Sequence, residues 1–293
     1  MNEATLFFQN LTCIDHATIT PSGSIEGGSF HCSVSVTGKI EEVEQVVVDF
    51  STLKKSIKEL IDAKTEGFDH KLWVEKTDVN YLKGKKYAVI STPFFHSIVP
   101  SDAVKVINYD VGLEYEISLY LENQLDLLYP DSQLSCTIWL STNKATSFLL
   151  SGEEDLALPF RYVHGLKNST SYGCQNINHG HLSYMGLVSG DGQPIDLKEH
   201  REFRELSSTV FIWEENIINN KDDKLTIGYE THRGLFTATY DTKKHHCVIS
   251  PKETTVENLA SFLVDQYGDL MYNLHGRQFY ITEGLAKGSQ INL

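Results

Sequence analysis

The densest set of groups able to do chemistry lies just past the middle of the chain, in Cys174-Gln175-Asn176-Ile177-Asn178-His179-Gly180-His181. Two histidines at i and i+2 on a strand point to the same face, so both imidazoles can meet one ion. A third histidine, His164, sits in the preceding strand-like run Phe160-Arg161-Tyr162-Val163-His164-Gly165-Leu166. Antiparallel pairing of the two runs would bring it alongside. Three histidines leave the fourth position of a tetrahedral zinc ion open, the arrangement of a catalytic site. Cys174, as a thiolate near such an ion, could act as a general base. The plainer alternative is two surface histidines, one packed against a core, and a cysteine serving as a small buried hydrophobe. An isolated His-x-His fits that alternative more often than it fits a metal site.

Other chemistry-bearing residues are scattered. In Phe68-Asp69-His70 the side chains diverge if the segment is a strand. A loop would let Asp69 orient His70 for relay-type proton transfer, and a surface turn is the competing reading. Thr254-Thr255-Val256-Glu257 has the composition of a helix N-terminus, with threonine caps and an acid in the first turn. Glu283, in Ile281-Thr282-Glu283-Gly284, stands at the end of an apolar run. There it could accept two hydrogen bonds from an amino-pyrimidine edge, or simply be an exposed acid. His16 and His31 could form a degenerate metal pair, and His245-His246 reads as a solvated pair. No Gly-rich phosphate loop and no Cys-x-x-Cys motif occurs.

The elements that must position these residues fall into two halves of similar grammar. In the first, Ala4 to Ile19 and Phe30 to Gly38 read as strands, with Val46 to Phe50 as another. The stripe Leu53, Ile57, Leu60, Ile61 predicts a helix over 51–63, capped by Ser51 or Thr52. Ile117, Leu121, Leu125 and Leu128 predict a second over 113–128, stopped by Pro130. Residues 136–140 and 145–150 read as closing strands. Acid-rich Ser151–Asp155 reads as a linker, dividing the chain into units 1–150 and 156–293. In the second half, 160–166, 181–188, 208–218, 225–240 and 278–282 read as strands, with a helix over 255–267.

Bulk properties narrow the function. A chain of 293 residues suits two domains. A net charge of −14 opposes non-specific binding to nucleic acid or an anionic membrane, and no apolar run is long enough for a membrane span. The N-terminal residues lack the basic and apolar pattern of a secretory signal, so a cytoplasmic protein is expected. The cysteine count, 5 and widely spaced, argues against a disulfide framework.

Taken together, these residues resemble the family of 6-pyruvoyl-tetrahydropterin and 6-carboxy-tetrahydropterin synthases. Phe160-x-x-x-His164-x-Leu166, Cys174 and His179-Gly180-His181 look like its zinc and cysteine motif. Thr255-x-Glu257-Asn258-Leu259-Ala260 resembles its second-helix motif, and Thr282-Glu283-Gly284 its terminal pterin anchor. Val48 to Lys54 resembles its strand-to-helix junction, and Asp69-His70 the Asp-His motif beyond that helix.

The resemblance implies an α+β chain of two tandem T-fold (tunnelling fold) units, each an antiparallel four-stranded sheet with two helices on one face. It implies Zn2+ on His164, His179 and His181, catalysis by Cys174, Asp69 and His70, and substrate binding by Glu283, Thr255 and Glu257. The implied substrate is the small molecule 7,8-dihydroneopterin triphosphate. The implied activity is that of a 6-carboxy-tetrahydropterin synthase-like lyase in queuosine (7-deazaguanine) biosynthesis, which eliminates triphosphate and cleaves the side chain. The alternatives are 6-pyruvoyl-tetrahydropterin synthase activity and a pterin- or purine-binding protein without turnover. A homo-oligomer, a trimer or other small ring, is implied as partner.

The first half keeps Asp-His but lacks His-Gly-His. The second keeps the metal histidines and cysteine, with Trp213-Glu214-Glu215-Asn216 standing as an unlike replacement for Asp-His. These complementary losses predict one composite site, with Asp69 and His70 meeting Cys174 across an interface between halves or chains.

Overall fold

A computed structural model describes residues 3–82, 84–142, 156–285 and 287–293. The expected linker 151–155 and the expected strand 145–150 lie outside the described residues.

The first half opens with the long hairpin β1 (Glu3–Ile19) and β2 (Ile25–Lys39), followed by helix α1 (Phe50–Ile61) and strand β3 (Lys71–Val74). Three short strands come next, β4 (Val79–Leu82), β5 (Tyr87–Ser91) and β6 (Phe95–Pro100). Strand β7 (Val104–Val106), helix α2 (Leu113–Leu128) and strand β8 (Ser135–Ser141) complete it. The second half runs β9 (Leu158–His164), β10 (His179–Ser189), β11 (Pro194–Ile195), α3 (Arg201–Arg204) and β12 (Ser208–Trp213). Its own short strands follow, β13 (Ile217–Lys221), β14 (Lys224–Thr231) and β15 (Gly234–Asp241), then β16 (His246–Ser250). Helix α4 (Val256–Asn273) and strands β17 (Gly276–Glu283) and β18 (Lys287–Asn292) end the chain.

The two halves repeat one topology. The first sheet has the order β7-β3-β1-β2-β8, and the second β16-β12-β9-β10-β17-β18, with β11 pairing β10. Strand directions match position by position. The pairs β7–β3 and β3–β1 are parallel while β1–β2 and β2–β8 are antiparallel. Likewise β16–β12 and β12–β9 are parallel while β9–β10 and β10–β17 are antiparallel. The expected antiparallel four-stranded sheet is therefore corrected to a mixed one of five strands in the first half and seven in the second. Parallel neighbours need long crossovers, and the chain supplies them. One path runs through β2 and α1 to reach β3, and another through β4 to β6 to reach β7.

The short strands build a third sheet shared by both halves, in the order β13-β14-β15-β6-β5-β4. Its seam is the antiparallel pair β15–β6, with Thr237 opposite Ile98 and Tyr240 opposite Phe95. Helices α1 and α2 cover one face of the first sheet through Leu53, Ile57, Ile61, Ile117, Leu121 and Leu125. Helix α4 covers the second through Leu259, Leu263 and Met271. A further core lies between the halves, joining Ala17, Leu72 and Val74 to Val163, Ile177, Val210 and Ile212. No described helix is long and apolar enough to cross a membrane.

Several local expectations change. Residues 46–49 are bend and coil, not strand, and Phe50 opens α1. The Asp49 carboxylate accepts from the Thr52 N–H at 2.8 Å, so Asp49 caps α1 in place of Ser51 or Thr52. Buried Met271 carries the apolar stripe of α4 beyond residue 267, to Asn273. His245 is not solvated: it is 5% exposed, its Nδ1 lies 3.0 Å from the Asp241 carbonyl, and its Nε2 accepts from the Ile25 N–H at 3.2 Å.

Candidate active site

The hairpin β9–β10 sets His164 directly opposite His179 and Tyr162 opposite His181. The ring nitrogens of His164, His179 and His181 lie within 4.8 Å of one another, and all three side chains are buried. His164 Nδ1 lies 2.8 Å from the Thr254 carbonyl, which can only accept, so Nδ1 carries the proton. His181 Nδ1 lies 3.2 Å from an Asp15 carboxylate oxygen, close but off the line of a hydrogen bond, and that charge favours the same tautomer. Both Nε2 lone pairs are thereby turned inward, and these two nitrogens are 3.3 Å apart.

Two lone pairs do not bond to each other. Two nitrogens held about 2.0–2.1 Å from one ion at a tetrahedral angle would be separated by about 3.3–3.4 Å. His179 adds a fully buried imidazole whose two nitrogens have no partner among the described residues. Burial drives the pKa of His164 down to about 3 and that of His179 well below the ordinary histidine value, which keeps both neutral, as metal ligands must be. The donor set therefore fits zinc.

The Asp69–His70 pair comes to this cluster from the first half. His70 adopts φ +57°, a left-handed backbone that turns its ring back onto its neighbour. Its Nδ1 is hydrogen-bonded to the Asp69 carboxylate. The His70 ring stacks on His179 with centroids 4.3 Å apart. His70, Cys174 and His179 form a second group with ligand atoms within 4.8 Å, so His179 joins the two groups. Burial lowers the His70 pKa, but the Asp69 charge and hydrogen bond outweigh it and raise the value well above the ordinary one. Burial raises the Cys174 pKa, and hydrogen bonding and charge from His70 outweigh that and lower it. The direction on both partners is toward an imidazolium–thiolate pair.

The loop bearing Cys174 is tied to both halves. Leu166 N–H donates to the Cys174 carbonyl at 2.9 Å. Asn176 Nδ2 donates to the carbonyls of His70 and Ala103 at 3.1 and 2.9 Å. Arg233 donates to the Tyr172 carbonyl at 2.6 Å and to Asp102 at 2.8 Å. A cavity of about 250 Å³ beside this loop is lined by His70, Lys71, Asp102, Tyr172, Gly173 and Arg233 among others.

Glu283 ends β17 with one carboxylate oxygen 3.8 Å from His181 Nε2 and the other 3.1 Å from Lys287 Nζ. Burial raises its pKa, and the charges of His181 and Lys287 outweigh this, for a net decrease. Thr255 caps α4 by accepting from the Asn258 N–H at 3.4 Å, and Glu257 is exposed in the first turn. No hydrogen bond among the described residues joins either to the histidines. The neighbour Thr254 does reach them.

The halves pass backbone to backbone where Gly27 of β2 crosses Gly180 of β10. A Cβ on Gly27 would lie 2.1 Å from the Tyr162 carbonyl oxygen, and one on Gly180 would lie 2.7 Å from the His16 carbonyl oxygen. The glycine of His-Gly-His is thus the point at which the other half's backbone passes. This reciprocal contact makes His16 the counterpart of Tyr162. Strand register then matches His164, His179 and His181 with Thr18, Glu26 and Gly28. It also matches Asp69-His70 with Ser207-Ser208, because Lys71 pairs His16 as Thr209 pairs Tyr162. The replacement for Asp-His is therefore Ser207-Ser208, not the segment at Trp213. Among the described residues His16 belongs to no group able to hold a metal, and its ring stacks on Trp73 at 3.8 Å and on Phe30 at 5.2 Å.

Sequence reasoning missed Asp15 and Ser29, and gave Thr254 and Asn176 no part in the histidine site. Asp15 gave one signal, an acid inside the apolar strand sequence Cys13-Ile14-Asp15-His16-Ala17.

No protein-family model matches the chain, and no curated protein matches it. Among solved structures, a catalytic-residue mutant of Plasmodium vivax 6-pyruvoyltetrahydropterin synthase is 19% identical, with 50% of this chain and 95% of that chain covered and a TM-score of 0.33. A 2.2 Å structure of the P. vivax enzyme is 17% identical over the same shares, with a TM-score of 0.32. A Plasmodium falciparum 6-pyruvoyl tetrahydropterin synthase structure is 9% identical, with 99% of this chain and 98% of that one covered, and a TM-score of 0.24. At these scores the likeness decides nothing by itself, and the geometry of the site carries the reading.

Proposed function

We propose that this chain is a zinc-dependent lyase of the 6-pyruvoyl-tetrahydropterin synthase type, acting on 7,8-dihydroneopterin triphosphate with elimination of triphosphate. The observation that carries the reading is the meeting of Asp69-His70 from one half with Cys174 and three buried histidines from the other. An acid–base pair beside an open three-histidine site suits proton abstraction next to a polarised oxygen.

In this reading His164, His179 and His181 hold the ion, which when bound supplies Lewis-acid polarisation of the substrate's side-chain oxygens. The Cys174 thiolate removes a carbon-bound proton. The electron pair released forms a double bond as the carbon–oxygen bond to triphosphate breaks. His70, held by Asp69, gives or takes the proton that the side chain then requires. Glu283, with Thr255 or Glu257, anchors the pterin ring. A homo-oligomer belongs to the same reading, supported by β8, the end strand of the first sheet among the described residues, where Trp139 is 51% exposed.

The test is incubation of the zinc-loaded chain with 7,8-dihydroneopterin triphosphate, with triphosphate release and product mass read together. The expected result is triphosphate release that falls by about 10²–10⁴ in Cys174→Ala. A product that keeps the side-chain carbons fits the pyruvoyl outcome. Loss of a two-carbon fragment assigns the 6-carboxy outcome, the queuosine-side alternative. Stoichiometric zinc with no turnover overturns the enzyme reading in favour of a pterin- or purine-binding protein.

A further inference from the structure

Asp15 belongs to β1 of the first half, yet its carboxylate lies inside the histidine cluster of the second. It is 3% exposed. One oxygen lies 3.2 Å from His181 Nδ1 and accepts from the Ser29 hydroxyl at 2.5 Å. Ser29 in turn accepts from the Leu182 N–H at 3.0 Å, which pins the carboxylate to the strand that carries His181. The main chain of the same residue holds the acid–base pair. Asp15 N–H donates to Asp69 Oδ1 at 2.8 Å, and the Asp15 carbonyl accepts from the His70 N–H at 2.6 Å.

The counterpart of Asp15 in the repeated topology is Arg161, since Asp15 precedes His16 as Arg161 precedes Tyr162. Arg161 serves the opposite crossing, donating to the Gly27 carbonyl at 2.9 Å and lying 3.6 Å from Glu26. An acid at this position is therefore not a requirement of the fold, because the same place in the other half takes a base. What differs is the neighbour. Asp15 faces a histidine whose second nitrogen points at the other imidazoles, and Arg161 faces a glutamate.

We infer that Asp15 is a positioning residue for the metal site, contributed by the half that has lost its own histidines. Its side chain orients His181 with Nδ1 protonated and Nε2 directed at the ion, and its backbone aligns Asp69-His70 with that site. A carboxylate behind a ligating imidazole fixes its tautomer and raises its basicity, and loss of such a partner typically weakens metal binding 10–100-fold. His164 has a neutral carbonyl in this role, so Asp15 is the charged member of the supporting shell. The inference rests on reading the three histidines as metal ligands.

The experiment uses the full chain, stripped with a chelator and titrated with Co2+, whose visible absorbance reports coordination. The wild-type chain is expected to bind one Co2+. Asp15→Asn is expected to bind about 10–100-fold more weakly, and Ser29→Ala, which keeps the charge, to stay within about threefold of wild type. A purely structural role would weaken both variants together and in step with their melting temperatures. Nitrogen NMR of histidine-labelled, zinc-loaded wild type supplies a measurement that needs no variant, with His181 expected as the Nδ1–H tautomer. The inference is overturned if Asp15→Asn binds Co2+ within twofold of wild type, if Ser29→Ala loses as much as Asp15→Asn, or if His181 is the Nε2–H tautomer. A wild-type chain that binds no Co2+ removes the metal reading itself, an outcome distinct from these.

Discussion

Replacing His70 by alanine tests the electrostatics of the site most directly, because Cys174 is the one cysteine whose pKa is lowered. Burial pushes Cys13, Cys32, Cys136 and Cys247 each up to about 12. At pH 8 a thiol of pKa about 12 is roughly one part in ten thousand thiolate, while one at the ordinary 9.0 is about one tenth thiolate. Cys174 lies below 9.0, so its advantage in thiolate is at least about 900-fold. A more basic thiolate is intrinsically more nucleophilic, and a Brønsted slope of about 0.4–0.5 over three units returns roughly 20-fold of this. The net preference for Cys174 is then about 40-fold or more, before the poorer access of the buried thiols is counted.

The assay is alkylation of the chelated apoprotein by iodoacetamide across pH 6–10, read by peptide mass spectrometry. In wild type Cys174 should label first, with a midpoint below 9. In His70→Ala the burial that raises this thiol is no longer opposed by the imidazolium, so the midpoint should move above 9 and most of the preference at pH 8 should vanish. An unchanged midpoint in His70→Ala, or equal labelling of all the cysteines in wild type, would refute the thiolate–imidazolium pair.

Two further outcomes follow from the same structure. Burial lowers the pKa of His16 to about 3, against an ordinary 6.5, so in the fold it stays neutral while the unfolded chain takes up a proton as pH falls. Its contribution is full above pH 6.5 and is lost on acidification, by about 1.4 kcal/mol at pH 5.5. Denaturant titrations of the apoprotein at pH 7.5 and 5.5 should show a smaller pH loss in His16→Phe than in wild type, and equal losses would contradict the assignment. Gly27→Ala should cost more than about 2 kcal/mol and weaken metal binding, because the new methyl meets the Tyr162 carbonyl and His181 N, which cannot move aside. Gly268→Ala, inside α4 with its nearest contact at 3.9 Å, is the control and should be neutral or stabilising.

What the sequence determined by itself is what depends on short-range periodicity. The stripe Leu53, Ile57, Ile61 located α1, that of Ile117, Leu121 and Leu125 located α2 over 113–128, and β1, β2 and β10 were visible as strand-like runs, with alternation toward the end of 30–36. The i, i+2 spacing of His179 and His181, with His164 one hairpin away, was legible for the same reason, since strand geometry fixes where neighbouring side chains point. The segment 71–106 was not legible, because its strands are three to six residues long and draw stability from pairing with distant partners, β6 with β15 above all.

Only the tertiary structure decided which residues of one half serve the other. Asp69 and His70 stand 104 or more positions before Cys174, and they meet it because Gly27 and Gly180 allow two sheets to cross backbone to backbone. The same crossing delivers Asp15 to His181 and turns Tyr162's counterpart, His16, into a stacking residue. No local pattern encodes such contacts. They arise from long-range packing of two like sheets, and a single added methyl at the crossing would undo them.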